Sequence, residues 1–294
     1  MQDQFAAAYL DILRGRVLDR QGSIAGHNRG GYRPDAAAWA AVALQALGLG
    51  ADLLPAIRTR LVAQQLPDGR VCLSPEHPET IWLTSLAILA WQGASEQRQA
   101  QIRASRFLLA ITGRHWPRTP DMPFAHDSDL IGWPWIDKTH SWVEPTALAV
   151  LALRVNGWGR HGRVKEAVRL LLDRQIPGGG WNYGNTRVFG QELFPFPEST
   201  GLALNALKGM VSQARVQKSL DYLNSRLQDV RTPLALGWGL MGLAAWGQEP
   251  LKYRAWIKES LDRQKRYGPY DTAALSLLLV ATRAPQGLES AFTR

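Results

Sequence analysis

The chain is short of cysteine and of long apolar runs, and each shortage excludes a class of protein. Its single cysteine, Cys72, has no second cysteine to pair with, so no internal disulfide can form and a reducing compartment fits better than a secreted one. No run of 18 apolar residues occurs, and the sequence does not open with a basic segment followed by an apolar stretch. Both observations disfavour a membrane span or a secretory signal. We therefore expect a cytoplasmic protein.

Lysine is also scarce, although the chain is basic. The formal net charge is +9, but 27 of the 34 basic residues are arginines scattered among alanines, as expected of a GC-rich bacterial genome. Proteins that bind nucleic acids usually cluster their positive charge or carry a known module, and the sequence shows neither. We expect no nucleic-acid partner.

A linker rich in glycine, serine or proline is missing as well. We predict one domain over residues 1–283 and a C-terminal tail over 284–294, and we expect no disorder before about Arg283. Within the domain the string Leu-Asp-Arg-Gln occurs at residues 18–21, 172–175 and 261–264. Each copy ends a segment with the apolar spacing of a helix, and a turn rich in glycine, proline and aromatic residues follows. Such recurrence is typical of stacked helical hairpins.

Each turn leads into a second helix that is apolar on all sides and must therefore be buried. These helices are predicted around residues 36–44, 81–89, 147–153, 201–207, 236–243 and 273–279. Open stacks of hairpins need polar caps at their ends, yet the last hairpin here is as apolar as the middle ones. We predict an all-α fold in which about six helical hairpins close into an (α/α)6 toroid, with six inner and six outer helices.

A polar residue lies just before or at the start of each predicted inner helix: Asp35, Glu79, Glu144, Glu198, Thr232 and Asp271. Such residues cap helices and complement the helix dipole. In a ring they would also surround one mouth of a cavity lined by Trp39, Trp82 and Trp238. Carboxyl groups beside apolar walls have raised pKa values and can act as acids, so both interpretations stay open.

Residues 165–181 carry a family resemblance. An aliphatic run ends at Gln175 and is followed by Gly-Gly-Trp181, which resembles the QW repeat of squalene–hopene and oxidosqualene cyclases. Degenerate copies occur around Gln21, Gln65 and Gln264. The resemblance implies the α-toroid shared by class II terpene cyclases and protein prenyltransferase β subunits, here as a divergent member with a single barrel. In that family the glutamine and the tryptophan of the repeat are structural.

The resemblance also implies an acid. The segment Trp142-Val143-Glu144-Pro145-Thr146-Ala147 aligns with the D-x-D-D-T-A motif of the cyclases, so Glu144 falls at the position of the aspartate that protonates the polyene. Weaker echoes of the motif contain Glu198 and Asp271, and Asp129 ends a separate D-x-D string. Trp142 and Pro145 occupy the other acidic positions. The zinc ligands of the prenyltransferases are not matched.

An insertion over residues 114–141 holds three of the six histidines and several tryptophans. Long loops in compact domains are often lids or binding loops. We expect aromatic walls and a substrate-binding residue from this region and its neighbours: Trp133, Trp135, His140, Trp142, Trp181 and Tyr183. Histidines and carboxylates here could hold a divalent metal, but no known ligand spacing occurs, so we expect no cofactor.

Three functions remain open. The first is an enzyme that protonates a hydrophobic polyprenyl or terpenoid substrate through Glu144, with aromatic faces stabilising carbocations. The second is a non-catalytic toroid that binds a co-encoded protein partner or a lipid. The third is a carbohydrate-active (α/α)6 hydrolase or lyase, for which paired carboxylates are suited. Because polyprenyl substrates partition into lipid, the first function would allow peripheral contact with the inner membrane face.

Overall fold

The computed structural model describes residues 2–28, 30–119 and 122–292, with side chains from Phe5 onward. Its helices are α1 (Gln2–Arg14), α2 (Pro34–Leu47), α3 (Leu54–Val62), α4 (Trp82–Ala90), α5 (Arg98–Ala110), α6 (Val143–Val155), α7 (Gly162–Asp173), α8 (Pro197–Leu207), α9 (Gln213–Arg226), α10 (Pro233–Ala245), α11 (Tyr253–Asp262), α12 (Gln264–Tyr267) and α13 (Thr272–Val280). A small antiparallel hairpin joins β1 (Arg187–Val188) to β2 (Gln191–Glu192), and short 3-10 helices cover Ser95–Gln97 and Leu288–Phe292.

The helices form the predicted (α/α)6 toroid. The inner helices α2, α4, α6, α8, α10 and α13 each pack on the next, and α13 packs back on α2, which closes the ring. The helices α3, α5, α7, α9 and α11 lie outside the inner helices that precede them, and α1 lies outside α13. Nearly every residue of the inner helices is buried, as expected of helices covered on all sides.

Hydrogen bonds between the two ends of the chain hold the ring closed. The guanidinium of Arg16, which is almost fully buried, donates to Thr272 Oγ1 at 3.0 Å and to the Tyr270 carbonyl at 2.8 Å. Thr272 in turn donates through Oγ1 to the Ala25 carbonyl at 2.7 Å. On the outer side, Tyr9 Oη and Ser276 Oγ lie 2.8 Å apart, which joins α1 to α13. The first turn of the chain is thereby bonded to its last inner helix.

Threonines connect the other turns to the inner helices in the same way. The backbone N–H of Trp133 donates to Thr146 Oγ1, and that of Trp181 donates to Thr200 Oγ1, both at 2.9 Å. The indole Nε1 of each tryptophan donates to a carbonyl of an outer helix, at Leu108 and Leu171 respectively. Both rings are fully buried in the core. Our expectation that Trp133 and Trp181 form substrate-binding walls is therefore corrected, because both are structural residues of the turns.

Two inner helices touch at their backbones. A methyl group placed at Gly201 of α8 would lie 2.3 Å from the Trp238 carbonyl oxygen of α10, and one at Gly242 would lie 2.7 Å from Gly201 Cα. Only glycine permits this approach, so Gly201 and Gly242 allow the backbones of α8 and α10 to pack in direct contact, which reduces the width of the ring at this point.

The C-terminal segment packs against the ring. Leu288 and Ala291 are buried, and the Leu288 N–H donates to Asn205 Oδ1 at 2.9 Å, near the C-terminal end of α8. Glu289 forms an ion pair with Arg154, the penultimate residue of α6, at 3.1 Å. Residues 284–292 thus cover the end of the ring at which the inner helices finish.

Replacing Gly201 by alanine tests the glycine contact. Helix propensity alone favours alanine by about 1 kcal/mol, but the added methyl group would collide with α10. We expect urea unfolding to show a loss of about 2 kcal/mol, the usual cost of overpacking. The matched control is Gly162→Ala at the start of α7, where no heavy atom lies within 4 Å of an added methyl group. Unchanged or increased stability of Gly201→Ala would contradict the backbone contact.

Candidate active site at the mouth of the ring

The inner helices all begin at one end of the ring, because an antiparallel outer helix connects each to the next. We call this end the mouth. The second residues of α2, α6, α8 and α10 occupy equivalent places on its rim, and they are Asp35, Glu144, Glu198 and Leu234. Glu79 lies outside this set, because it precedes α4 and its carbonyl accepts the N–H of Asp137.

The floor of the mouth is apolar. The sixth residues of the same four helices are Trp39, Leu148, Leu202 and Trp238, each only 5–7% exposed. The rings of Trp39 and Trp238 meet edge to face with 5.5 Å between centroids, although α13 separates their helices in the ring. These two side chains meet on the inner side of α13, and we call the apolar surface that they form with Leu148 and Leu202 the bowl.

Glu144 is a mostly buried carboxyl at the edge of this bowl. Burial raises its pKa, the neighbouring charge of Glu198 raises it further, and a hydrogen bond from Ser199 opposes the rise. That bond runs from Ser199 Oγ to Glu144 Oε1 at 2.7 Å. The structure therefore brings Glu144 and Glu198 together at the α6–α8 side of the mouth, as two carboxyls in different environments.

The third carboxyl of the rim, that of Asp35, is paired with an arginine. Arg33 donates to both oxygens of Asp35, at 2.9 and 2.7 Å, in the bidentate geometry that is strongest for such pairs. Asp35 is buried while Arg33 is exposed. Both carboxylate oxygens of Asp35 are thereby bound by the Arg33 guanidinium, which leaves Glu144 as the candidate acid of the rim.

The two other predicted acids do not join Glu144. Asp129 is exposed within the insertion, where its backbone N–H donates to Asp127 Oδ1 at 3.0 Å. Asp271 caps α13, since its Oδ1 accepts the N–H of Ala274 at 2.7 Å. Of the two roles that the sequence allowed for Asp271, helix cap or acid of the mouth, the structure shows the cap.

Aromatic side chains flank the carboxyl pair. The rings of Tyr183 and Phe196 lie 5.1 Å apart, and the Tyr183 side chain is half exposed. Burial raises the pKa of Tyr183, and the negative charges of Glu144 and Glu198 add to the rise, so its phenol lies close to both. The Tyr183 carbonyl accepts the N–H of Val143, which holds this residue at the start of α6.

The rim beside α4 carries a second aromatic pair. Trp82, the first residue of α4, meets Trp135 of the insertion edge to face at 5.8 Å, and both are partly exposed. The Ile81 N–H donates to the Trp135 carbonyl at 3.0 Å. The end of the insertion is thereby fixed along the rim and contributes to its wall.

The remaining predicted residues, His140 and Trp142, line a separate cavity of about 240 Å³ beside the mouth. The first part of the insertion covers it, together with the β1–β2 hairpin, which is joined to the insertion by the bond from the Ala125 N–H to the Arg187 carbonyl. His140 contacts Trp116 at 4.5 Å and Trp142 at 6.3 Å between ring centroids.

Neither a metal site nor a membrane span is found in the part of the chain that the structure describes. Across residues 2–28, 30–119 and 122–292, no three His, Cys, Asp or Glu side chains come together in a way that could hold a metal ion. Over the same ranges no helix has the length and apolar character needed to cross a bilayer.

Comparisons with known proteins identify the fold. No protein-family model and no curated protein matches the chain. Among solved structures it is similar to a protein from Actinoplanes (17% identity, 99% of both chains, TM-score 0.63) and to the type II terpene cyclase MstE from Scytonema (13%, 97% of this chain and 99% of that chain, 0.63). It is also similar to the GH76A α-1,6-mannanase from Salegentibacter (12%, 97% and 99%, 0.62). All three likenesses concern the fold, the (α/α)6 toroid.

The burial of Glu144 predicts a pH-dependent stability. Because its pKa is higher in the folded chain than the ordinary 4.5, the folded chain holds this proton more tightly, and the free energy of unfolding falls as pH rises from 4.5 through the raised value. Glu144→Gln should remove that fall and be more stable than the native chain at neutral pH. Urea unfolding across about pH 4 to 8 measures the difference. Glu96→Gln, at an exposed site, is the control, and parallel pH curves for Glu144→Gln and the native chain would contradict the burial.

Proposed function

We propose that the chain is an enzyme that protonates a hydrophobic, isoprenoid-type substrate at the mouth of the ring, with Glu144 as the acid. The observation that carries the proposal is a mostly buried carboxyl with a raised pKa beside an apolar floor. A carboxyl in such surroundings can hold its proton near neutral pH. An alkene chain could lie on Trp39, Leu202 and Trp238 without leaving polar groups unpaired.

The hydrogen bond from Ser199 supports one of the two Glu144 oxygens as the site of the acid proton. Since Ser199 Oγ donates to Oε1, the acid proton of Glu144 belongs on Oε2. Transfer of that proton to an alkene carbon forms a C–H bond from the π electrons, leaves a carbocation on the neighbouring carbon and leaves Glu144 as a carboxylate. Transfer of a proton from the final cation back to the Glu144 carboxylate, directly or through water, completes an isomerisation or cyclisation and regenerates the acid without any co-reactant.

The surroundings of Glu144 suit the cation as well as the proton. Aromatic faces attract cations through their quadrupole, most strongly where water is excluded, and Tyr183, Phe196 and Trp82 surround the rim. The negative charge of Glu198 would stabilise the cation at the same place. The two carboxyls thus have separate roles, Glu144 as the acid and Glu198 as an electrostatic stabiliser.

The structural likeness to MstE is consistent with this class of substrate. That terpene cyclase has been solved with geranylgeranyl dihydroxybenzoate as its substrate, in a structure to which this chain is 13% identical at a TM-score of 0.60. The likeness extends over nearly the whole of the MstE chain. A terpene cyclase can therefore consist of one helical ring of this size, and the single ring of the present chain is compatible with the proposal.

Glycoside hydrolysis is the second candidate, and the carboxyl pair favours it. Two neighbouring carboxyls with aromatic platforms are an arrangement that glycosidases use, and a mannanase has a similar fold. The floor of the mouth argues against it, because Trp39, Leu148, Leu202 and Trp238 offer a sugar few hydrogen-bond partners. The polyprenyl proposal is therefore preferred.

Binding to a membrane or to a co-encoded protein is supported by a different feature. Phe189 in the β1–β2 hairpin and Phe194 just after it are 82% and 83% exposed. Large apolar side chains in this position are typical of contact surfaces. Such contact would deliver a lipophilic substrate to the mouth, so it accompanies the enzymatic proposal as well as the non-catalytic one.

Turnover of polyprenyl substrates tests the role of Glu144. The purified chain would be incubated with farnesyl, geranylgeranyl and squalene substrates, and products followed by gas chromatography and mass spectrometry. Because a positioned general acid contributes at least about 100-fold, Glu144→Gln should lower product formation by that factor while remaining folded. Glu96→Gln should retain full activity.

A mannan oligosaccharide in a parallel reaction distinguishes the second candidate. Release of reducing ends that depends on Glu144 would replace the polyprenyl proposal by glycoside hydrolysis. Equal product formation by Glu144→Gln and the native chain would remove Glu144 as the acid.

A further inference from the structure

The cavity beside the mouth has the size and cover of a small-molecule site. Its volume is about 240 Å³, just below the range of about 300–1,000 Å³ found for drug-sized ligands. It lies under the insertion, between the residues that lead into α6 and those that follow α7. Nothing in the role of Glu144 uses this space.

Its charged lining is cationic. Arg114 and Arg174 both line the cavity, and none of the described lining residues is acidic. Arg174 is buried and fixed, because it donates to the Gly184 carbonyl at 2.9 Å and pairs with Asp173 at 3.3 Å. The guanidinium of Arg114, by contrast, makes no hydrogen bond or ion pair with any described residue and is available to an anion.

Two histidines add unpaired polar atoms. Nδ1 of His126 and Nδ1 of His115 are buried without a hydrogen-bond partner among the described residues. Burial and the nearby charge of Arg174 lower the pKa of His126 to about 3, so its ring is neutral near physiological pH and can carry its hydrogen on Nδ1. A buried polar atom without a partner costs free energy, which a ligand acceptor would recover.

The rest of the lining consists largely of flat aromatic surfaces. Phe124 stacks on His126 with 4.2 Å between centroids and 10° between planes. On the other side, His140 lies between Trp116 and Trp142. Flat rings pack well against such surfaces, in stacked or edge-to-face arrangements.

We propose that this cavity binds a small organic acid, a single flat ring that carries a carboxylate or a phosphate. The acid group lies against Arg114 and Nδ1 of His126, and the ring lies among Trp116, His140 and Trp142. The proposal does not depend on Glu144, since the cavity and the carboxyl pair have no side chain in common.

Calorimetric titration with four probes tests the ligand class. Benzoate and phenyl phosphate should bind, benzamide should bind at least about tenfold more weakly because it lacks the charge, and inorganic phosphate should bind more weakly than phenyl phosphate because it lacks the ring. The tighter of the two acids identifies the ligand as a carboxylate or a phosphate. Benzamide binding as tightly as benzoate, or phosphate as tightly as phenyl phosphate, would overturn the proposal.

Variants locate the binding. Arg114→Gln, at an exposed side chain, should weaken the tighter acid about tenfold through loss of a charge-assisted hydrogen bond. Arg215→Gln on the exposed surface of α9 is the matched control and should bind as the native chain does. In NMR spectra the imidazole signals of His126 should shift on binding, and those of the exposed His77 should not.

Two further results decide the assignment. Native affinity in Arg114→Gln, or unshifted His126 signals at saturation, would overturn it. Glu144→Gln should bind the acid as the native chain does, so failure of the proposed catalysis and failure of this site can be told apart.

Discussion

The contact between the last inner helix and the first turn of the chain is the interaction on which the rest of the structure depends. An inner helix that is apolar on all sides is stable only when neighbours cover it, and in an open stack the end helices would lack one neighbour. Arg16 and Thr272 join the two ends through a buried guanidinium and a hydroxyl that also bonds the Ala25 carbonyl. Only this closure places every inner helix between two others and gathers their first turns around one mouth.

The size of the mouth follows from how tightly the ring closes. The glycine contact between α8 and α10 narrows it, and Trp39 and Trp238 meet on the inner side of α13. Residues 284–292 cover the opposite end. Under the proposed function, a substrate would meet the apolar bowl with the largely buried Glu144 carboxyl at its edge. On its other side α8 packs on α6, where Ser199 donates a hydrogen bond to Glu144.

Much of the fold could be predicted from the sequence, because the repeats and the apolar inner helices indicate the ring. The position of Glu144 at the start of its helix likewise indicates that it lies at the mouth. The sequence did not distinguish the tryptophans that hold the turns from those that line the mouth. Trp133 and Trp181 each follow a glycine and are each bonded to a threonine of the next inner helix. The Gly180-Trp181 pair belongs to the repeat whose tryptophan the family resemblance marks as structural, whereas the pair Gly132-Trp133 was a signal of the same kind that our sequence analysis did not use.

Other features depend on distant contacts that the sequence does not show. Ser199 reaches Glu144 because α8 packs on α6, and the Leu288 N–H donates to Asn205, which lies 83 residues earlier in the chain. The pairing of Arg33 with Asp35 was easier to foresee, since only Pro34 separates the two residues in the sequence. Sequence reasoning counted Asp35 among the acids of the mouth without this partner.

Ring closure packs Glu144 against Ser199 and Glu198, and burial there raises the pKa of its carboxyl above the ordinary 4.5. The most direct measurement is an NMR titration of the carboxyl carbon of Glu144 in the intact chain, assigned with Glu144→Gln. The account predicts a titration midpoint clearly above the ordinary 4.5, shifted further upward in Ser199→Ala, which removes the hydrogen bond that opposes the rise. A midpoint at or below 4.5 would contradict it.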